Sequence, residues 1–289
     1  MSLADLLYTL IPNTWFRKLS KLYYKTLKKM TRKITEEQFI QLLTERLDVQ
    51  KGDTVFVHSA MSKLNIAFSP QRLLEILLEQ VGEEGTLLFP CWHYIGRAET
   101  YLRNPDSVFD VRNSVTTLGY LNRLAMEYPG AQRSMHPTVS VCAIGKRAEE
   151  LVATHHLDLY PCGEQSPWYK MLSHPAKVIG LGEKLVSLSF VHCVEDMMKD
   201  EFPIQTLSDT PIEGKVVDYQ GNSIMVPTLY PLPDIQQRNV VRFFYDYISK
   251  KGGGQFKFKG SNYFRVDAHH LFDEMVILAR KGITIYGKF

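Results

Sequence analysis

The sequence predicts an α/β protein with a central, largely parallel sheet flanked by helices and preceded by a basic N-terminal helical arm. Three observations carry this reading. Thr54-Val55-Phe56-Val57-His58 is a short apolar run after the turn-like Lys51-Gly52-Asp53, a helical pattern follows at Gln71–Val81, and Gly85-Thr86-Leu87-Leu88-Phe89-Pro90 is a second strand. Strand, loop, helix and strand in that order make a β-α-β unit, whose strands run parallel with the helix packed on them. The 289 residues, 45% hydrophobic and 22% charged, are ordinary for a globular chain able to bury a sizeable core.

The arm differs in kind from the rest. Eight basic residues (Arg17, Lys18, Lys21, Lys25, Lys28, Lys29, Arg32, Lys33) stand against one acid, Asp5, which gives residues 1–35 a charge of +7 and leaves −4 of the overall +3 for the remainder. Trp15, Leu19, Leu22, Tyr23, Leu27 and Met30 recur between them at steps of three and four, the pattern of a basic amphipathic helix. Such a helix either lies on an anionic membrane surface, where each basic residue contributes on the order of 1 kcal/mol, or packs on the body or a partner subunit with its lysines in water. Nucleic acid is not an expected partner, because no recognition motif accompanies the charge. The reading divides the chain into an arm, 1–34, and one domain, 35–289.

No apolar run approaches the roughly 20 residues of a membrane helix, and the N-terminus lacks a signal peptide's succession of basic, apolar and cleavable regions. The expected location is therefore the cytoplasm, at the inner face of the membrane if the arm binds lipid. Cys91, Cys142, Cys162 and Cys193 are scattered without metal-ligand spacing, which predicts reduced thiols and no bound metal. A homo-oligomer stays open.

The domain's elements follow in order. Thr35-Glu36-Glu37-Gln38 resembles a capping box before Phe39, Leu42, Leu43 and Leu47, so a helix is expected to about Leu47. After the first strand come His58, Ser59, Ala60, Met61 and Ser62, and after the second come Cys91, Trp92, His93, Tyr94 and Arg97. Loops at the carboxyl ends of such strands are where ligands usually sit. Thr116-Thr117-Leu118-Gly119 is expected to open a helix whose free N–H groups can receive a phosphate. Val139–Gly145 and Lys177–Gly182 read as strands, with a helix near Arg147–Thr154 between them. His136, held away from helix by Pro137, stands at the entrance of the first of these.

Ser189-Phe190-Val191-His192-Cys193-Val194-Glu195-Asp196 reads as the first turns of a helix capped by Ser189. Residues three apart share a helical face, so Glu195 can hold the His192 imidazole in one tautomer and raise its basicity, as a general base requires. Alone, the motif reads first as a structural His-Glu pair on an ordinary helix, and the other blocks must tip the balance. Cys193 is adjacent to His192, but successive helical residues point about 100° apart, which argues against a Cys-His nucleophile pair.

Taken together, five blocks resemble the aminoglycoside 3-N-acetyltransferase family over residues 35–282. They are Gly52–Ser62, Gly85–Pro90, Arg133-Ser134-Met135-His136-Pro137, Gly163-Glu164-Gln165-Ser166-Pro167 and Ser189–Glu195. The resemblance implies that family's α/β fold and transfer of an acetyl group from acetyl-CoA to an amine of a sugar acceptor. It implies that His192 and Glu195 lie at the acceptor, that the Ser59–Ser62 loop with His58 and the segment Thr116, Thr117 and Gly119 hold CoA, and that His136 is a second proton-transfer candidate. Asn113-Ser114-Val115 departs from the family, which carries Thr-Pro-Ser or Thr-Pro-Thr there, and one hydroxyl expected near CoA is missing.

Aminoglycosides are polycations, so a pocket for them should be lined with Asp and Glu. Trp92, His93, Tyr94 and Arg97 are aromatic and basic instead, and with the basic arm they favour an amino sugar of cell-surface polysaccharide synthesis over an antibiotic. Two other classes stay open. A hydrolase with Ser59 as nucleophile lacks the GxSxG elbow, and a scaffold recruited to the membrane by the arm would need no chemistry.

Overall fold

The computed structural model describes residues 19, 22, 24–26, 28, 30–236 and 238–288. Helix α1 (Glu36–Glu45) opens on Thr35, whose hydroxyl accepts the Gln38 N–H while the Gln38 side chain accepts the Thr35 N–H, so the expected capping box forms. Strand β1 (Thr54–Ser59), helix α2 (Pro70–Val81) and strand β2 (Thr86–Pro90) make the β-α-β unit. They are followed by α3 (Ala98–Arg103), β3 (Val108–Asp110), α4 (Tyr120–Met126), β4 (Gln132–Arg133) and β5 (Val141–Gly145). Helices α5 (Ala148–Val152) and α6 (Pro167–Lys170) lead to β6 (Ala176–Leu181) and α7 (Val191–Met198). The chain continues through β7 (Ile212–Val217), β8 (Ser223–Thr228), α8 (Val240–Tyr247), β9 (Gly253–Phe258), β10 (Ser261–Asp267), α9 (Ala268–Ala279) and a short hairpin, β11 (Ile283–Thr284) and β12 (Gly287–Lys288).

Seven strands form the main sheet in the order β4-β5-β2-β1-β6-β10-β9. Strand β1 pairs in parallel with β2 and β6, whereas the outer pairings, β2 with β5 and β5 with β4 on one side and β6 with β10 and β10 with β9 on the other, are antiparallel. The parallel character expected from the β-α-β unit thus holds for the three central strands of a mixed sheet. These strands are buried on both faces, which is why they read as continuous apolar runs.

Alternation along β1 divides the core. Val55 and Val57 join Leu87, Phe89, Ile179 and Leu181 under α1 and α2. Phe56 points the other way, with Leu88, Val178 and Trp168, against α7 and α9. A second sheet, β3-β7-β8, closes over its own small cluster of Phe109, Val111, Val216 and Val226. It is tied to the main sheet by Tyr219, whose hydroxyl accepts the Arg133 N–H at 2.6 Å and donates to the Arg133 carbonyl at 2.9 Å.

The arm's described residues at 19, 22, 24–26, 28 and 30 are helical. One face turns to the body, where Asn262 Nδ2 donates to the Tyr24 hydroxyl at 3.3 Å and Asn65 Nδ2 donates to the Lys28 and Thr31 carbonyls at 3.1 Å. Leu19, Leu22 and Met30 on the other face are 49%, 61% and 79% exposed. Trp15, Tyr23 and Leu27 of the expected apolar stripe, with Arg17, Lys18, Lys21 and Lys29, lie outside the described residues. No helix among the described residues is long and apolar enough to cross a membrane.

Candidate functional site

Helix α7 carries His192 and Glu195. His192 Nδ1 lies 2.9 Å from Glu195 Oε2, one helical turn on, and the carboxylate is almost wholly buried while the imidazole is about a quarter exposed. A carboxylate only accepts, so Nδ1 carries the proton and Nε2 keeps a lone pair. The Arg238 guanidinium donates to that Nε2. The second carboxylate oxygen, Oε1, accepts the Tyr286 hydroxyl at 3.1 Å. The helix begins at Val191, one residue later than expected, and Ser189 does not cap it. Its Oγ instead accepts from Trp168 Nε1 at 3.0 Å and pairs with His58 Nε2 at 3.2 Å.

His192 and Glu195 open onto a cavity of about 360 Å³, whose walls include Trp92, Tyr94, Arg97, Trp168, Ser189 and Arg238. Trp92 Nε1 is a buried donor with no partner among the described residues. A second cavity of about 400 Å³ shares Glu195, Asp196, Thr206 and Leu207 with the first and adds Asp200 and Asp209, so four carboxyl side chains and one lysine, Lys199, line it. Asp196 is fully buried and its carboxyl is pushed well up by that burial, against the lowering effect of the Cys162 N–H that it accepts at 2.6 Å.

Three expected site histidines lie behind these walls. His136 is inaccessible to solvent: its Nδ1 accepts the Val139 N–H at 3.2 Å and its Nε2 pairs with Thr228 Oγ1 at 3.2 Å. Burial holds it well below the usual imidazole range. It does not line the cavity that His192 and Glu195 face, so the structure does not bring the second proton-transfer candidate to that cavity. His93 is absent from the cavity lining, since its Nε2 bonds the Tyr101 hydroxyl at 2.7 Å and its ring stacks on Phe109. Burial and the neighbouring Arg133 charge push its pKa down to about 4. His58 was expected with Ser59 at CoA, but consecutive strand residues face opposite ways. It projects with Phe56 toward Trp168 and Phe264, where burial pushes it down to about 4, and it supports Ser189 from beneath the acceptor cavity.

The family model described as aminoglycoside 3-N-acetyltransferase matches residues 56–276. The chain belongs to this family. Aminoglycoside N(3)-acetyltransferase IX of Micromonospora chalcea is 33% identical over 167 residues, which span 52% of this chain and 57% of that relative. Among solved structures, aminoglycoside acetyltransferase AAC(3)-Xa superposes with a TM-score of 0.72 at 21% identity, over 91% of this chain and 98% of that one. AAC-IIIb, solved as a binary complex with CoASH, gives 0.69 at 23% identity over 84% and 95%. At these identities the structural likeness concerns the fold.

The two segments expected at CoA are neighbours here. Ser59 Oγ is 3.4 Å from Asn122 Oδ1 on α4, and a Cβ added to Gly119 would meet only the Ser59 carbonyl, at 3.9 Å. Gly119 has φ +116°, which favours glycine, and leaves the backbone open beside the Ser59–Ser62 loop. The helix itself starts at Tyr120 rather than Thr116. Thr116 Oγ1 donates to the Trp92 carbonyl at 2.9 Å and Thr117 Oγ1 to the Tyr94 carbonyl at 3.1 Å, so both hydroxyls tether the loop that follows β2. Arg133, buried at β4, reinforces the tether through the Ser114 and Cys91 carbonyls. The sequence reading missed Arg238, Tyr286 and Trp168, for which no local motif exists.

Proposed function

We propose that the protein is an acetyl-CoA-dependent N-acetyltransferase whose acceptor is an aminoglycoside amine. The observation that carries this is the hydrogen-bonded His192–Glu195 pair opening on a cavity beside a second one that shares Glu195, Asp196, Thr206 and Leu207 with it and adds Asp200 and Asp209. Asp200 and Asp209 in that neighbouring cavity suit the outlying ammonium groups of a polycation, which answers the objection raised by Trp92, Tyr94 and Arg97. Family membership and the relative from Micromonospora chalcea favour the same acceptor over a polysaccharide precursor.

An acceptor ammonium must lose a proton before its nitrogen can attack a thioester. His192 Nε2 takes that proton once Arg238 has moved off it, and Glu195 stabilises the imidazolium that results. Ser59–Ser62 and Gly119 are the residues offered to the cosubstrate, with open backbone beside Gly119. Acetyl-CoA supplies an acyl group already activated as a thioester, so the enzyme needs no nucleophile of its own. Trp92 Nε1 remains as a buried donor for an acceptor hydroxyl or for charge developing on oxygen.

Thiol release from acetyl-CoA tests the reading. Release that requires an aminoglycoside supports it, release with nucleotide-linked amino sugars alone returns the polysaccharide reading, amine-independent release indicates a hydrolase, and none indicates a scaffold.

A second reading concerns location. The exposed Leu19, Leu22 and Met30, beside a +7 segment, favour peripheral attachment of the arm to anionic lipid. Sedimentation with anionic vesicles that fades as salt rises supports attachment, and equal sedimentation after deletion of residues 1–33 removes it.

A further inference from the structure

Glu195 has two carboxylate oxygens, and only Oε2 is needed by His192. Oε1 accepts the hydroxyl of Tyr286, a residue 91 positions away and beyond the span matched by the family model. Tyr286 sits in the turn of the β11–β12 hairpin, whose register pairs Ile283 with Lys288 and Thr284 with Gly287. The turn is fixed from within, because the Tyr286 N–H donates to Thr284 Oγ1 at 3.1 Å. It is also fixed from outside, because Ile285 is buried in the core and its carbonyl accepts the Asn239 N–H at 2.9 Å. Asn239 follows Arg238 directly, and Arg238 occupies the opposite nitrogen of His192.

We infer that the C-terminal hairpin is a positioning element for the acid-base pair, with Tyr286 as the residue that locks the Glu195 carboxylate. The inference rests on the role proposed for His192. A carboxylate held by one hydrogen bond can rotate about its last torsion; one held at both oxygens keeps Oε2 aimed at Nδ1. Burial and the adjacent Glu195 charge push the Tyr286 phenol up, so it stays protonated and donates across the working pH range. The Asn239–Ile285 bond joins the same hairpin to the segment that carries Arg238. One element therefore reaches both sides of the imidazole.

Tyr286→Phe keeps the ring that packs against the core and removes only the hydroxyl. The expected result is a kcat lowered about tenfold, the size of effect that loss of a charge-assisted hydrogen bond gives. KM for both substrates should be nearly unchanged and the melting temperature close to wild type. In a Glu195→Gln background the same change should have little further effect, since the carboxylate it serves is gone. A wild-type kcat in Tyr286→Phe, a loss confined to KM, or the same tenfold loss in both backgrounds overturns the inference. His192→Ala, assayed alongside, separates the two levels. If it is inactive while Tyr286→Phe is normal, only the positioning role falls; if it retains wild-type turnover, the base assignment falls and the positioning role falls with it.

Discussion

On the α7 side of the main sheet, polar groups face a cavity: His192 Nε2 meets the exposed Arg238, and Trp92 Nε1 has no partner among the described residues. On the α2–α4 side, the hydroxyls are already spent. Ser59 is held near Asn122, and Thr116 and Thr117 bind the carbonyls of Trp92 and Tyr94. The difference separates two kinds of recognition. The first side offers side-chain chemistry to a reacting group, whereas the second offers backbone and the open space at Gly119. Substitutions should accordingly change turnover on one side and substrate affinity on the other.

The largest effect is expected at His192. Its replacement by alanine should lower kcat by about 10³-fold, within the range of general acid-base catalysis, and leave the KM for acetyl-CoA unchanged. Equal changes in kcat and in acetyl-CoA KM would erase the division between the two sides. Glu195→Gln should lose about 10²-fold, because a neutral amide still bonds Nδ1 but cannot stabilise the imidazolium. Steady-state kinetics with an aminoglycoside varied at saturating acetyl-CoA measures both.

A third prediction concerns what lies beneath the cavity. His58 and His155 are fully buried, and burial pushes them down to about 4 and about 3, while an unfolded imidazole titrates near 6.5. Between these values the unfolded chain binds more protons than the folded one, so stability is full above about pH 6.5 and falls as pH is lowered toward 4. At pH 5 each should contribute a loss of about 2 kcal/mol. Asp196 titrates in the opposite sense, so the check is the urea midpoint at pH 7 and pH 5 in the wild type and in His155→Gln; an equal drop in both would mean that the ring is not held neutral.

How much of this was legible in the sequence depends on the range of each contact. The His192–Glu195 contact is three residues long and follows from helical spacing, and the capping box of α1 is equally local. His58 and Ser59 were grouped because they are consecutive, although the two-residue period of a strand already assigns them to opposite faces. The strand was recognised and its alternation was not applied. Thr116 illustrates a different difficulty, because its partner is the Trp92 carbonyl 24 residues earlier, across two loops whose approach only the packed sheet defines. Beyond residue 200 the reading proposed no elements. There β9 and β10 pair with β6 across the fold, and Tyr286 reaches Glu195 from the last turn of the chain. Edge strands and terminal hairpins draw their identity from what they pair with, and a short hydrophobic pattern does not reveal it.

The smallest effect expected is the one that tests the comparison most directly. Thr116→Val keeps the shape of the side chain and deletes two hydrogen bonds, the one accepted from the Leu118 N–H at 3.2 Å and the one donated to the Trp92 carbonyl, which still accepts the Thr117 N–H at 2.8 Å. Loss of the donated bond costs about 1 kcal/mol, and it falls on the loop that carries Trp92, Tyr94 and Arg97 into the acceptor cavity. The acceptor KM should therefore rise by about fivefold while the acetyl-CoA KM stays constant. Ser59→Ala should do the reverse on a similar scale, since Ser59 adjoins Gly119 and makes no contact with that loop's carbonyls. If Thr116→Val instead raises the acetyl-CoA KM, its hydroxyl serves the cosubstrate directly, and the division between a reactive side and a backbone-lined side is redrawn at Thr116.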